Sequence, residues 1–161
     1  MGDQISNRAI PGASVWMSNG AVRTFLENLG LRAAELATSD WERGFAVWVA
    51  EHLDVHRWSY SPSGFDVAEL ALSRRDFYAQ KGFLLSVVDR ALADPDHGCD
   101  ICFPSEVVVD ALRALRAWLA DLSVDRIAED ATGVWAHDPV AWRRCEEHGL
   151  CFTSYGCPIG H

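Results

Sequence analysis

The sequence lacks the apolar runs that membrane insertion or secretion needs. No stretch approaches the eighteen or so apolar residues that a spanning helix requires, which excludes a transmembrane segment. The first sixteen residues, Met1 to Trp16, do not show the basic start followed by an apolar stretch that marks a secretory signal. We therefore expect a cytoplasmic protein that does not act at a membrane.

Lysine is almost missing as well. Lys81 is the only lysine among 14 basic residues, against 23 acidic ones, and the formal net charge is −9. So acidic a chain excludes nonspecific nucleic-acid binding, because phosphate contacts need a basic surface. The many alanines together with the scarce lysine are typical of a high-GC bacterial coding sequence. A basic protein partner is compatible with the charge.

Sustained alternation of apolar and polar residues is absent, so the sequence predicts no sheet. Helical spacing dominates instead, and 161 residues suffice for one packed core. The predicted fold class is all-α, a compact helical bundle of about four long helices with short C-terminal helical pieces and an irregular Cys/His-rich tail. Residues 1–17 are expected to be a polar N-terminal arm and residues 18–161 a single helical domain.

The predicted helix boundaries rest on capping signals. Ser39 and Glu42 have the spacing of a capping box, and Asp138-Pro139 is a good helix start. Gly149 suits the residue after a helix end. The expected helices cover about 20–37, 40–57, 66–93 (kinked or split near Gly82), 105–122 and 138–148, with a short turn over 124–130.

The five cysteines exceed what packing needs, and an odd number in a reducing compartment favours metal binding or reactive thiols over a disulfide framework. They lie in two regions, 97–102 and 145–161, with pairs two or three residues apart that let one short loop supply two corners of a zinc tetrahedron. Buried or free thiols, a disulfide and a redox-active Cys99/Cys102 pair remain alternatives. The candidate metal ligands are Cys99, Cys102, Cys145, His148, Cys151, Cys157 and His161.

A second candidate site lies on the predicted second helix. His52 and His56 are one turn apart on its apolar face, an arrangement that lets two imidazoles bind one metal, while Glu51 and Asp54 are expected to point elsewhere. The alternative is that both histidines hydrogen-bond at the edge of the core. Over this one helix the pair resembles the inward His-x-x-x-His motif of the DinB-like metal-dependent helical bundles, but no motif here matches their further histidine ligand.

The rest of the sequence contains no further motif that indicates a catalytic or binding site. No phosphate-binding loop, nucleophile elbow or His-Glu-x-x-His motif is present, so no nucleotide or organic cofactor is indicated. Of the seven tryptophans, Trp41, Trp48 and Trp118 are expected in the core. Trp16, Trp58 and Trp135 are expected in or near loops, where a tryptophan belongs either to a binding surface or to a packing lid, and core or lid packing is the favoured interpretation.

Three functional hypotheses follow. The first is a small, metal-stabilised and zinc-binding accessory protein that acts by binding another protein, in a biosynthetic or regulatory cluster. The second is a small enzyme with His52 and His56 as its candidate catalytic residues in a pocket inside the bundle. The third is an acidic immunity protein that neutralises a basic toxin. The cysteine pattern favours the first hypothesis.

Overall fold

The computed structural model describes residues 2–54, 62–95, 106–135, 143–153 and 155–159. Within these ranges the chain forms four α-helices and one two-stranded antiparallel sheet. The protein is therefore predominantly helical, as predicted, but the expectation of an all-α fold is wrong. None of the helices in the described ranges has the length and apolar character needed to cross a membrane.

The sheet is an N-terminal hairpin. Strands β1 (Gly2–Ser6) and β2 (Ser14–Ser18) pair antiparallel from Gly2 opposite Ser18 to Ser6 opposite Ser14. Each strand completely buries a single side chain, Ile5 in β1 and Met17 in β2. One buried residue per strand leaves no period-two pattern to detect, which is why the sequence indicated only a polar arm.

Helix α1 and the start of helix α2 follow their predicted boundaries closely. Helix α1 spans Asn19–Leu36 and continues through Gly30 without a break. Helix α2 spans Asp40–Leu53, and its capping box is confirmed: Ser39 Oγ accepts from Glu42 N, and the Glu42 carboxylate accepts from Ser39 N. Helix α2 ends before the predicted Arg57, because Asp54 already has an extended backbone conformation.

The segment 66–93 is not one long helix. A single 3-10 turn covers Val67–Glu69, a loop follows, and helix α3 begins only at Phe77 and runs to Ala93. Asp66 caps the 3-10 turn through its carboxylate, and Leu70 then turns the chain into extended geometry. The split therefore lies before Phe77, and α3 passes through Gly82 uninterrupted.

The last long helix, α4, spans Glu106–Asp121 and is followed by a 3-10 turn over Val124–Arg126, as predicted. The predicted helix over 138–148 is wrong for the part that is described. Arg144 forms an antiparallel bridge with Cys151, and Phe152 N donates to Arg143 O. The described residues from 143 to 152 thus form a narrow hairpin-like turn, because backbone pairing to the following segment replaces helical hydrogen bonds.

Helix α1 occupies the centre of the core. It contacts the other three helices and both strands, and its side chains from Phe25 to Ala34 are all buried. The C-terminal turn also packs on α1, where Leu150 lies against Gly30. This packing determines where the cysteine-containing tail sits.

Candidate functional site

The C-terminal segment is attached to the core by two buried residues of its own. Leu150 and Cys151 are 1% and 0% exposed. A Cβ at Gly30 would lie 2.9 Å from Leu150 Cδ2, so the missing side chain in α1 is what allows Leu150 to approach. The internal glycine of α1, which costs helix stability, thus has a packing role.

A buried hydrogen bond attaches the next part of the tail to the end of α2. Thr153 Oγ1 donates to Asp54 Oδ2 over 2.6 Å, and the residues are 5% and 1% exposed. Asp54, which was expected to point away from the apolar face, is therefore part of the interior. Beyond it, Thr153 and Gly156 exchange backbone hydrogen bonds, and Gly156 has a φ of +105° that suits glycine. This tight turn brings Cys157 back toward residues 145–148.

A turn places Cys145 beside His148. Gly149 N donates to Cys145 O over 2.8 Å, and Gly149 has a φ of +71°. The glycine therefore has the left-handed geometry expected of it, although it closes a turn and not a long helix. Cys145 and His148 lie on one side of this turn, although the helix on which their spacing was expected to align them is not formed by residues 143–148.

Three side chains converge at this point. The Nδ1 atom of His148 lies 3.6 Å from Cys145 Sγ and 3.4 Å from Cys157 Sγ, and the ligand atoms of the three residues all lie within 4.8 Å of one another. In tetrahedral zinc coordination, with a sulfur at ~2.3 Å and a nitrogen at ~2.05 Å, the sulfur–nitrogen edge is about 3.6 Å. The Cys145–His148–Cys157 cluster can therefore hold a metal ion.

The environment of this cluster is a boundary between core and surface. Cys145 is 3% exposed, the His148 side chain is 21% exposed and Cys157 is half-buried. Glu147 Oε1 lies 4.0 Å from His148 Nε2, on the side of the ring away from the sulfurs. A carboxylate near the second nitrogen of a ligating histidine favours the tautomer that leaves Nδ1 available for a metal.

Cys151 has a different environment from the cluster. Burial is the main effect on its thiol and raises its pKa to about 12, and the positive charge of Arg144 opposes this only in part. The thiolate is the form that binds metals and attacks disulfides, so Cys151 is chemically inert near neutral pH. Within the described part of the chain, Cys145, Cys151 and Cys157 form no disulfide.

The remaining sequence candidates cannot be placed. Cys99, Cys102, His161 and His56 lie outside the described residues. The structure thus brings together three of the seven predicted metal ligands and places a fourth, Cys151, apart from them in the core.

His52 lies in an aromatic environment. It is 7% exposed, and its ring centroid is 4.4 Å from that of Trp48 and 6.0 Å from that of Phe65. Its Nδ1 is 3.0 Å from the carbonyl oxygen of Ser63, and Ser63 N donates back to the His52 carbonyl. A carbonyl only accepts hydrogen bonds, so Nδ1 carries a proton and is not a metal ligand in this arrangement.

A cleft of about 420 Å³ opens beside His52. Two of its lining residues, Trp48 and Glu51, also lie on α2, and opposite them are the 68–72 and 131–135 segments, which include Glu69 and Trp135. Glu51 was expected to point elsewhere, but it is 7% exposed and lines the cleft. No sequence pattern indicated that Trp135 and Glu69 would lie beside α2, because tertiary contacts bring them to the cleft.

Trp135 reaches the cleft because α2 has a gap in its surface. Its indole packs over Gly44, where a Cβ would lie 2.3 Å from Trp135 Cδ1, and its Nε1 donates to Trp41 O over 3.0 Å. Trp135 is 8% exposed. Trp135 thus lies in a segment without helix or strand and is buried by packing, the favoured of the two interpretations.

Comparison with protein-family models, curated proteins and solved structures finds no significant match for the chain. Function must therefore be argued from the side chains of the site itself.

Proposed function

We propose that the protein is a small metal-stabilised accessory protein, most suited to zinc, that acts by binding another protein. The observation that carries this proposal is the Cys145–His148–Cys157 cluster. Two thiols and an imidazole form a donor set that zinc prefers, and the two sulfur–nitrogen separations fit the corresponding edges of a zinc tetrahedron.

The hydrogen-bonding alternative explains the cluster less well. Cys145 Sγ and Cys157 Sγ both approach the same nitrogen, His148 Nδ1. A neutral imidazole nitrogen has one lone pair, so it accepts one good hydrogen bond and not two. One metal ion between the three atoms would use both sulfurs and that lone pair together.

A fourth ligand is required for a closed structural site. The sequence offers Cys99, Cys102 and His161 for this position. Three protein ligands with a solvent molecule in the fourth position would be the other arrangement of the same site.

The role in protein binding is supported by what the cluster would immobilise. Tyr155 is 65% exposed and stands two residues before Cys157, so a metal on Cys157 would fix the loop that presents this ring. Tyrosine is enriched in protein interfaces because it offers a large contact area at a low entropy cost. A metal-ordered tail with an outward tyrosine suits a binding surface.

The test is elemental analysis of protein purified without added metal or chelator, together with a thiol titration before and after denaturation. We expect about one zinc per chain with Cys145 and Cys157 protected from the titrant, and a lower Tm after chelation. The variant Cys157→Ser should lose the metal, and Cys151→Ala, which removes a core thiol outside the cluster, should retain it. Metal-free protein with freely titrating cluster thiols would overturn the proposal.

The enzyme hypothesis remains a second candidate because His52 lines a cleft large enough for a small molecule. An activity carried by His52 would be lost in His52→Asn, in which the amide nitrogen can replace the Nδ1 donor and maintain the fold. Unchanged turnover in that variant would remove His52 from the mechanism.

A further inference from the structure

The cleft beside His52 has a chemical character that the metal cluster does not explain. Its volume of about 420 Å³ lies within the range of sites for small organic molecules. It is bounded by α2 on one side and by the 68–72 and 131–135 segments on the other. The cleft is thus part of the folded core region, apart from the C-terminal cluster.

Indole rings form part of the wall. The centroids of Trp48 and Trp135 are 5.3 Å apart with their planes at 38°, so the two rings contact each other at a tilt, and both residues line the cleft. Trp48 is half-buried and retains exposed surface. The face of an indole carries negative charge density and attracts cations more strongly than the faces of the other aromatic side chains.

The charges that line the cleft have one sign. Glu51 and Glu69 contribute carboxylates, and no lysine or arginine is found among the described lining residues. His52, the other titratable side chain of the lining, donates to the Ser63 carbonyl through Nδ1. The net charge of −9 adds a long-range field of the same sign.

We propose that this cleft binds a small organic cation, with an alkylated ammonium group held by the Trp48 indole and the carboxylates of Glu51 and Glu69. An anionic ligand would be repelled by both carboxylates. A bare hard metal ion takes six or more oxygen ligands, and beside the two carboxylates much of the lining is apolar, with Leu70, Leu72 and Val134. An ammonium group that carries methyl groups can be attracted to the carboxylates by its charge and can contact the apolar lining through its methyl groups.

The experiment is a calorimetric titration with choline, repeated with its neutral isostere in which a quaternary carbon replaces the nitrogen. We expect saturable binding of choline and at least about tenfold weaker binding of the isostere, because only the charged form gains from the indole and the carboxylates. Equal affinities, or no saturable binding of choline, would overturn the proposal.

Substitutions of the lining residues test whether choline binds in this cleft. Glu51→Gln keeps the shape of the side chain and should weaken choline binding by about fivefold or more, as should Trp48→Leu. Glu69→Gln, which retains an oxygen to cap the 3-10 turn, gives a second carboxylate test that does not depend on a buried residue. The matched control is Asp110→Asn on the exposed surface of α4, where Asp110 pairs with Arg113, and its Kd should equal that of the parent. A Kd unchanged by both glutamate variants would contradict the assignment.

Discussion

His52 and His148 lie in opposite chemical environments, although both stand beside residues that suggested metal binding. Nδ1 of His52 faces a carbonyl oxygen at 3.0 Å, and Nδ1 of His148 faces two cysteine sulfurs at 3.4 and 3.6 Å. The first nitrogen must donate a hydrogen bond. The second is placed to accept one or to ligate a metal.

The difference shows that the neighbours of an imidazole determine its chemistry more than its position on a helix. The position of His52 on the apolar face led to burial among aromatic rings, with its donor used by the backbone of Ser63. His148 lies in a turn that no helical pattern describes, and there it meets Cys145 and Cys157. The contacts therefore give His52 Nδ1 a structural role, and they place His148 in the cluster that could hold a metal ion.

The largest effect is expected from removing the packing that supports the His148 region. Leu150→Ala should lower the free energy of unfolding by about 2–5 kcal/mol, because it empties a completely buried site against α1. Urea unfolding monitored by circular dichroism measures this change. Tyr155→Ala, which truncates an exposed side chain of the same segment, is the control and should have little effect. A near-neutral Leu150→Ala would show that the tail does not pack as described.

A second substitution removes the hydrogen bond that joins the C-terminal tail to the end of α2. Thr153→Val removes the hydroxyl that donates to the buried Asp54 carboxylate, just beyond the helix that carries His52. We expect a loss of about 1.5–3 kcal/mol in unfolding free energy, the usual range for a hydrogen bond to a charged group. Thr153→Ser retains the hydroxyl and should recover most of that loss. Equal stabilities of the valine and serine variants would contradict the bond.

A smaller effect tests the role of His52 directly. His52→Ala should cost about 1–3 kcal/mol, since it leaves the Ser63 carbonyl without its side-chain donor and removes a ring packed on Trp48. His52→Asn should be closer to the parent because its amide can donate to the same carbonyl. Thermal unfolding of the two variants compares them. Identical losses would show that packing alone matters at this position.

The smallest expected effect is a pH dependence of stability that comes from Asp66, which accepts a hydrogen bond from Ser6 of the N-terminal hairpin. Burial raises the pKa of Asp66, but hydrogen bonds from Ser6, Ala68 and Arg8 outweigh it, and the pKa ends below its ordinary value of 3.8. The charged carboxylate therefore stabilises the fold fully above pH 3.8, and this contribution is lost as the pH falls through the lower folded-state pKa.

Asp66→Asn isolates this contribution. The stability difference between parent and variant, measured by denaturant unfolding over a series of pH values, should be constant near neutrality and shrink as the medium becomes more acidic than about pH 4. A difference that grows on acidification would contradict the direction of the pKa shift.

Local sequence signals predicted the helices well where the signal and the structure act over the same few residues. The Ser39–Glu42 capping box is an example, because both of its hydrogen bonds join groups three residues apart. The limits of α1 and α4 follow from apolar spacing in the same way. The limits of these helices could be predicted without knowing which other elements they pack against.

The parts that the sequence did not predict depend on contacts between distant residues. The N-terminal hairpin buries only Ile5 and Met17, too few to produce a pattern, and 143–152 is shaped by pairing across a turn. At the candidate site, Cys145 and His148 were predictable neighbours from their spacing. The approach of Cys157, the burial of Cys151 and the entry of Trp135 into the cleft require the packed structure.

The most direct test of the central claim is a cobalt titration of the protein and of two histidine variants, monitored by absorption. Cobalt replaces zinc in tetrahedral sites, and thiolate ligands give an intense charge-transfer band. We predict that the parent and His52→Asn bind about one cobalt per chain with this band, and that His148→Ala loses it. No band in the parent, or the same band in His148→Ala, would contradict the assignment of His148 as the ligand.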